Sequence, residues 1–118
     1  MAFTKKSAKK PDETRKFPKG KLEVVKMGDH TIGRSTMQRG WKWSTSVKPI
    51  AKTESCQSHH VGYVVSGTLS GVLDDGTKWK LSAGDFFDIP PGHDAWTVGN
   101  KSVVIIDYMG FADYAKPK

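Results

Sequence analysis

The stretch Cys56-Gln57-Ser58-His59-His60 places the only cysteine of the chain and two of its four histidines within five residues. Thiolate sulfur and imidazole nitrogen are good donors for Zn(II), and with an open position for Fe(II) or another divalent ion. Side chains two apart share a face in an extended segment, which would put Glu54, Cys56, Ser58 and His60 on one side and His59 and Tyr63 on the other. The same residues also have a plainer explanation. Cys56 can be a small core residue, and a histidine can simply hydrogen-bond in a polar interior.

The elements that position this stretch are short and β-prone. Leu22–Met27 reads as a strand closed by Gly28-Asp29, and Thr31–Gln38 as a polar strand with Ile32, Arg34, Thr36 and Gln38 on one face. Gly40-Trp41-Lys42-Trp43-Ser44 reads as extended, with both indoles on one side, and Val47–Thr53 as a loop around Pro49. A strand from about Ser55 to Ser66 turns at Gly67 and continues to Leu73. Asp74-Asp75-Gly76 is a hairpin signal, because Asp and Gly accept the backbone angles of a tight turn. Thr77–Leu81, Phe86–Ile89, Ala95–Val98 and Val103–Tyr108 complete the set, with one helical turn expected over Phe111–Ala115. Eight or nine short strands separated by regular turn signals predict an all-β sandwich or barrel.

Composition bounds the function. The 118 residues suffice for one domain, and the absence of a long apolar run or a secretory leader pattern predicts a cytoplasmic protein with no membrane span. A lone cysteine excludes an internal disulfide. The net charge is +7, and residues 1–20 hold seven Lys and Arg against two acidic residues, leaving +2 for residues 21–118. The expected organisation is therefore a flexible basic arm over 1–20 and a folded domain over 21–118.

The order of glycine turns and histidines resembles the cupin superfamily, in particular its small single-domain bacterial members. The resemblance rests on Gly67 at the end of the first family motif and on Gly84-Asp85, Pro90 and Gly92 in the second. The linked segments Gly40–Ser44, Cys56–Gly67, Asp74–Gly76 and Pro91–Trp96 extend it over about residues 22–110. It implies a small cupin β-barrel of jelly-roll (double-stranded β-helix) type, often a homodimer, with its site inside the barrel. The usual ligands are absent: His60 stands at the glutamate position, Cys56 and Glu54 at the two histidine positions, and Ala95 at the histidine of the second motif.

A barrel would let Cys56, His60 and His93 converge, with Glu54 as a fourth donor for a divalent metal such as Zn or Fe. Trp41, Trp43, Tyr63 and Trp96 are the candidate pocket aromatics, although alternation turns Tyr63 and Trp96 outward, as befits an interface. Asp94 is a candidate partner for an imidazole or for the turn after Gly92. Three functions follow as expectations. The first is a small-molecule-binding cupin with a metal site, and the second a metal-dependent dioxygenase, isomerase or lyase acting on a small organic acid or sugar derivative. The third is a scaffold or nucleic-acid-associated module working through the basic arm.

Overall fold

The computed structural model describes residues 3–109, 111–112 and 114–115. Among the described residues, nine strands form two antiparallel sheets. The strands are β1 (Glu13–Phe17), β2 (Gly20–Met27), β3 (His30–Met37), β4 (His60–Ser66), β5 (Thr68–Leu73), β6 (Lys78–Ser82), β7 (Phe86–Ile89), β8 (His93–Thr97) and β9 (Val103–Met109). The large sheet runs β1-β2-β3-β9-β4-β7 and the small one β6-β5-β8. Two short helices, α1 (Trp43–Ser46) and α2 (Lys48–Ala51), connect β3 to β4. Among the described residues no helix is long and apolar enough to cross a membrane.

Alternation decides what faces inward. On β4 the buried residues are His60, Gly62 and Val64; on β8 they are His93, Ala95 and Thr97; on β9 they are Val103, Ile105 and Asp107. The inner faces of both sheets therefore share one core, with Leu22, Trp43, Val47, Val64 and Val103 sealed from solvent. The expected turns form where they were expected. Gly76 has φ of +91°, and Asp75 Oδ1 accepts the Thr77 amide at 2.9 Å to close the β5–β6 hairpin. Gly62 is required for a different reason: a Cβ there would lie 2.0 Å from the Ile106 carbonyl oxygen of the neighbouring strand.

Several local expectations are corrected. Residues 13–17, assigned to a flexible arm, form β1 and pair with β2 from Glu13↔Val24 to Phe17↔Gly20. Charge counting hid the period-two pattern that buries Phe17, while Arg15 Nη1 donates to the carbonyls of Phe111 and Tyr114 at 2.6 and 2.8 Å. β1 thus adds residues 13–17 to the edge of the large sheet.

The extended reading of Trp41–Ser44 fails because the chain coils at Trp43. Asp94 Oδ1 accepts the Ser44 amide at 3.1 Å, satisfying a donor that the first helical turn leaves free. Pro49 sits in the first turn of α2, where its missing N–H costs nothing. Val47–Thr53, read as a loop, thus carries a helix. The strand expected from Ser55 begins only at His60. Phe111–Ala115 holds a turn closed by the Tyr114 amide on the Phe111 carbonyl rather than a helix, and position 113 of that stretch lies outside the described residues.

Candidate metal centre

Three elements deliver three donors to one point. Cys56 lies ahead of β4 but is tied to β8: its amide donates to the His93 carbonyl at 2.8 Å, and its carbonyl accepts from the amides of Gly92 at 2.7 Å and His93 at 3.2 Å. That cross-strand pair puts the thiol beside the His93 imidazole. His60, the first residue of β4, turns inward by strand parity. Its Nε2 lies 3.7 Å from Cys56 Sγ, and its ring centroid is 5.3 Å from that of His93. One donor atom from each of Cys56, His60 and His93 falls within 4.8 Å of the others, and all three residues are buried.

Both imidazoles are oriented from behind. His93 Nδ1–H donates to the Pro90 carbonyl at 2.8 Å, which orients the ring with Nε2 towards the cluster. His60 Nδ1 faces Asp107 Oδ2 at 3.5 Å, a carboxylate 2% exposed in the middle of β9. That approach is loose: His60 Nδ1 and Asp107 Oδ1 have no hydrogen-bond partner among the described residues. Buried polar atoms left this way are costly unless something tightens the array.

The electrostatics favour a thiolate beside an imidazolium. Burial pushes the Cys56 thiol up, but hydrogen bonds from His60 and His93 outweigh it and bring the pKa down to about 6. Burial likewise disfavours charge on His60, yet Asp107 and Cys56 together lift its pKa to about 9. Tyr114, partly buried and facing the charges of Cys56 and Asp107, keeps its phenol protonated well above the ordinary range.

The signs of the two shifts give a pH prediction. Stability contributed by the depressed Cys56 is present above its unfolded value and is lost as pH falls through about 6. Stability contributed by the raised His60 is present below its unfolded value and is lost as pH rises through about 9. Between the ordinary histidine and thiol values the folded pair and the unfolded pair bind the same number of protons, so the slopes cancel and stability is flat there. Ultraviolet thiolate absorbance of the metal-free protein should therefore appear as pH rises through about 6. In His60→Ala it should move to higher pH, where burial of the thiol is opposed by His93 alone.

The donor set fits a tetrahedral divalent ion. Bond lengths of about 2.0–2.3 Å imply donors about 3.4–3.7 Å apart. The Cys56–His60 separation of 3.7 Å already meets that, and the widest pair within 4.8 Å needs a shift of about 1 Å. Three protein donors leave a position open. Beside them lies a cavity of about 30 Å³, lined by Trp41, Trp43, Trp79, Phe87 and Tyr114 with His60 and His93, which has room for a water-sized ligand. A wider cleft of about 200 Å³ reaches Cys56 from the side of Thr53, Gln57 and Ser58. Trp43 and Tyr114 line both spaces and divide them.

Of the residues singled out in the sequence, Cys56, His60 and His93 are brought together, and Trp41 and Trp43 line the cavity. Glu54 is not part of the cluster: its side chain is 98% exposed and pairs with Lys48 Nζ at 3.1 Å. The chain is not extended from 54 to 60, so strand parity does not carry Glu54 inward. Tyr63 and Trp96 do not line the cavity. Tyr63 packs on Phe86 outside the barrel at 4.8 Å, and Trp96 lies under Lys42 Nζ at 5.5 Å. His59 pairs with Asp88 at 2.5 Å on the outer face, His30 is exposed, and Asp94 serves the backbone of Ser44 and Ala95. Sequence reasoning missed Asp107, Trp79 and Tyr114. Asp107 left a signal, an acid within the most apolar run of the chain on the parity of Val103 and Ile105.

No protein-family model matches the chain, and no curated protein matches its sequence. Solved structures do match. Oxalate decarboxylase from Lactobacillus farciminis, solved as a formate complex, aligns with a TM-score of 0.59 at 18% identity over 83% of this chain and 30% of its own. The chain therefore spans less than a third of that enzyme. KdgF from a Halomonas species aligns at 0.57 and 24% identity, covering 83% of this chain and 86% of its own. An RmlC-like cupin from Shewanella frigidimarina aligns at 0.59 and 18% identity over 89% of this chain and 88% of its own. Likeness at these identities is one of fold, and together with the two antiparallel sheets it identifies the chain as a small β-barrel of the cupin fold.

Proposed function

We propose that this barrel holds a divalent transition-metal ion on Cys56 Sγ, His60 Nε2 and His93 Nε2, and presents a small ligand to it in the aromatic cavity. The observation that carries this reading is the buried triad itself, one thiol and two imidazoles converging, with the Pro90 carbonyl behind His93 and the Asp107 carboxylate facing His60. When bound, the ion would supply Lewis acidity at its free position. Asp107 faces His60 Nδ1 and balances its charge, Pro90 fixes the His93 tautomer, and the indoles of Trp41 and Trp43 with Phe87 keep bulk water out. The cavity of about 30 Å³ favours a ligand about the size of one or two waters over a sugar. Softness of the thiolate favours Zn(II), Fe(II) or Co(II) over Mg(II) or Ca(II).

Cobalt substitution tests the donor set. Co(II) added to the metal-free protein should give an intense thiolate-to-cobalt charge-transfer band with the d–d absorption of a four-coordinate ion. Cys56→Ser should remove the charge-transfer band, whereas Glu54→Gln should leave it intact. Weak, six-coordinate d–d bands without charge transfer would mean that the thiol takes no part.

A further inference from the structure

The turn between β1 and β2 gathers cations that a sheet ordinarily keeps apart. Strand alternation turns Phe17 and Leu22 into the core and Lys16 and Lys21 out. Register sets Lys16 directly opposite Lys21, and Lys21 opposite Thr36 of β3. Like charges placed directly opposite one another destabilise a sheet. Little in the chain offsets that repulsion. Lys21 Nζ lies 3.8 Å from Glu23 Oε1, an oxygen that Arg34 also approaches at 3.7 Å. Neither Lys16 nor Lys19 has an acidic partner among the described residues.

Lys19 adds a third cation, held in place at a cost. Its φ of +64° lies in the left-handed region, where a two-residue turn between strands ordinarily carries Gly, Asn or Asp. Its carbonyl accepts the Gln38 amide at 2.7 Å, which fastens the turn to the end of β3. A Cβ at Gly40 would lie 2.7 Å from Lys19 Nζ, so the bare Cα of that glycine makes room for the ammonium. Lys16, Lys19 and Lys21 line one cleft of about 330 Å³ with Thr36 and Gln38, and no acid lines it among the described residues. The cleft shares no residue with the metal cavity inside the barrel.

We propose that this cleft binds the phosphate group of a phosphorylated small molecule. A phosphomonoester carries close to two negative charges on three strong acceptor oxygens, and lysine binds phosphate as a point charge. Three ammonium groups around one cleft match that group, and an anion among them removes the repulsion between Lys16 and Lys21. The Thr36 hydroxyl and the Gln38 amide supply neutral donors beside them. A carboxylate, with one charge and two oxygens, would use only part of this set. A nucleic-acid strand asks for a different surface, a groove of cations along its backbone with aromatic rings to stack its bases. Here the cations converge, and the one aromatic residue of the cleft, Phe17, is 7% exposed.

Amide resonances of the full chain, labelled with nitrogen-15, test the proposal in titrations with inorganic phosphate and with glycerol phosphate, at an ionic strength held constant with chloride. Resonances of residues 16–21 and 36–38 should shift with both probes and stay still in a series of chloride alone. Lys16→Gln and Lys19→Gly should each weaken phosphate binding at least ~10-fold. Both should melt no lower than wild type, because one removes a like-charge pair and the other a left-handed lysine. Lys78→Gln, at an exposed position of β6, should leave binding unchanged. Shifts that chloride reproduces, or binding that survives both cleft variants, would overturn the proposal. A single-stranded oligonucleotide without a terminal phosphate that binds more tightly than glycerol phosphate would also overturn it, making the cleft part of a nucleic-acid surface.

Discussion

Adding Zn(II) to the metal-free protein should raise its thermal midpoint by more than ~10 °C. An ion that binds only the folded state stabilises it by about 4 kcal/mol at a free concentration about a thousand times Kd. For a chain of this size each kcal/mol moves the midpoint by several degrees. The rise should be steepest above about pH 6, where the Cys56 thiolate already exists and no proton need leave with binding. Asp107→Asn should keep the triad but weaken Zn(II) binding about 10–100-fold, as loss of a group that orients a ligating imidazole does elsewhere. Differential scanning fluorimetry against a zinc series checks both expectations. A midpoint indifferent to Zn(II) would mean that the triad does not grip the ion.

The second large effect belongs to Trp43. It is 2% exposed, begins α1, and stands between the cavity and the cleft that reaches Cys56. Truncation to Ala removes a buried indole and joins the two spaces, so it should cost about 3–5 kcal/mol, read from urea unfolding of the metal-free protein. Trp43→Phe should recover more than half of that loss, because a ring still fills the boundary. Equal losses in the two variants would show that the indole nitrogen, rather than its volume, matters there.

These residues also show what the sequence carried and what it hid. The glycine turns, the strand tally and the fold were legible because period-two burial and tight-turn chemistry are local properties, written within a few residues. Cys56, His60 and His93 were legible as chemistry by their types. Their convergence needed the antiparallel bridge between Cys56 and His93, which joins positions far apart in the chain. Glu54 was misplaced because the parity rule was extended back through a segment that is not a strand. The helix at Trp43 is hidden from a local reading because the Ser44 amide in its first turn is satisfied by Asp94, fifty residues away. Phe17 was lost in a charged window whose strand partner supplies the order. In each case a tertiary contact overrode a local preference.

The most direct test of the metal centre is elemental analysis of tag-free protein, prepared under reducing, chelator-free conditions and then offered Zn(II) or Fe(II). Wild type, Glu54→Gln and His59→Gln should each retain close to ~1 ion per chain. Cys56→Ser, His60→Gln and His93→Gln should retain close to none while keeping the circular-dichroism spectrum of a folded barrel. Wild-type protein without metal after that exposure, or metal that survives loss of the triad, would contradict a centre built on Cys56, His60 and His93.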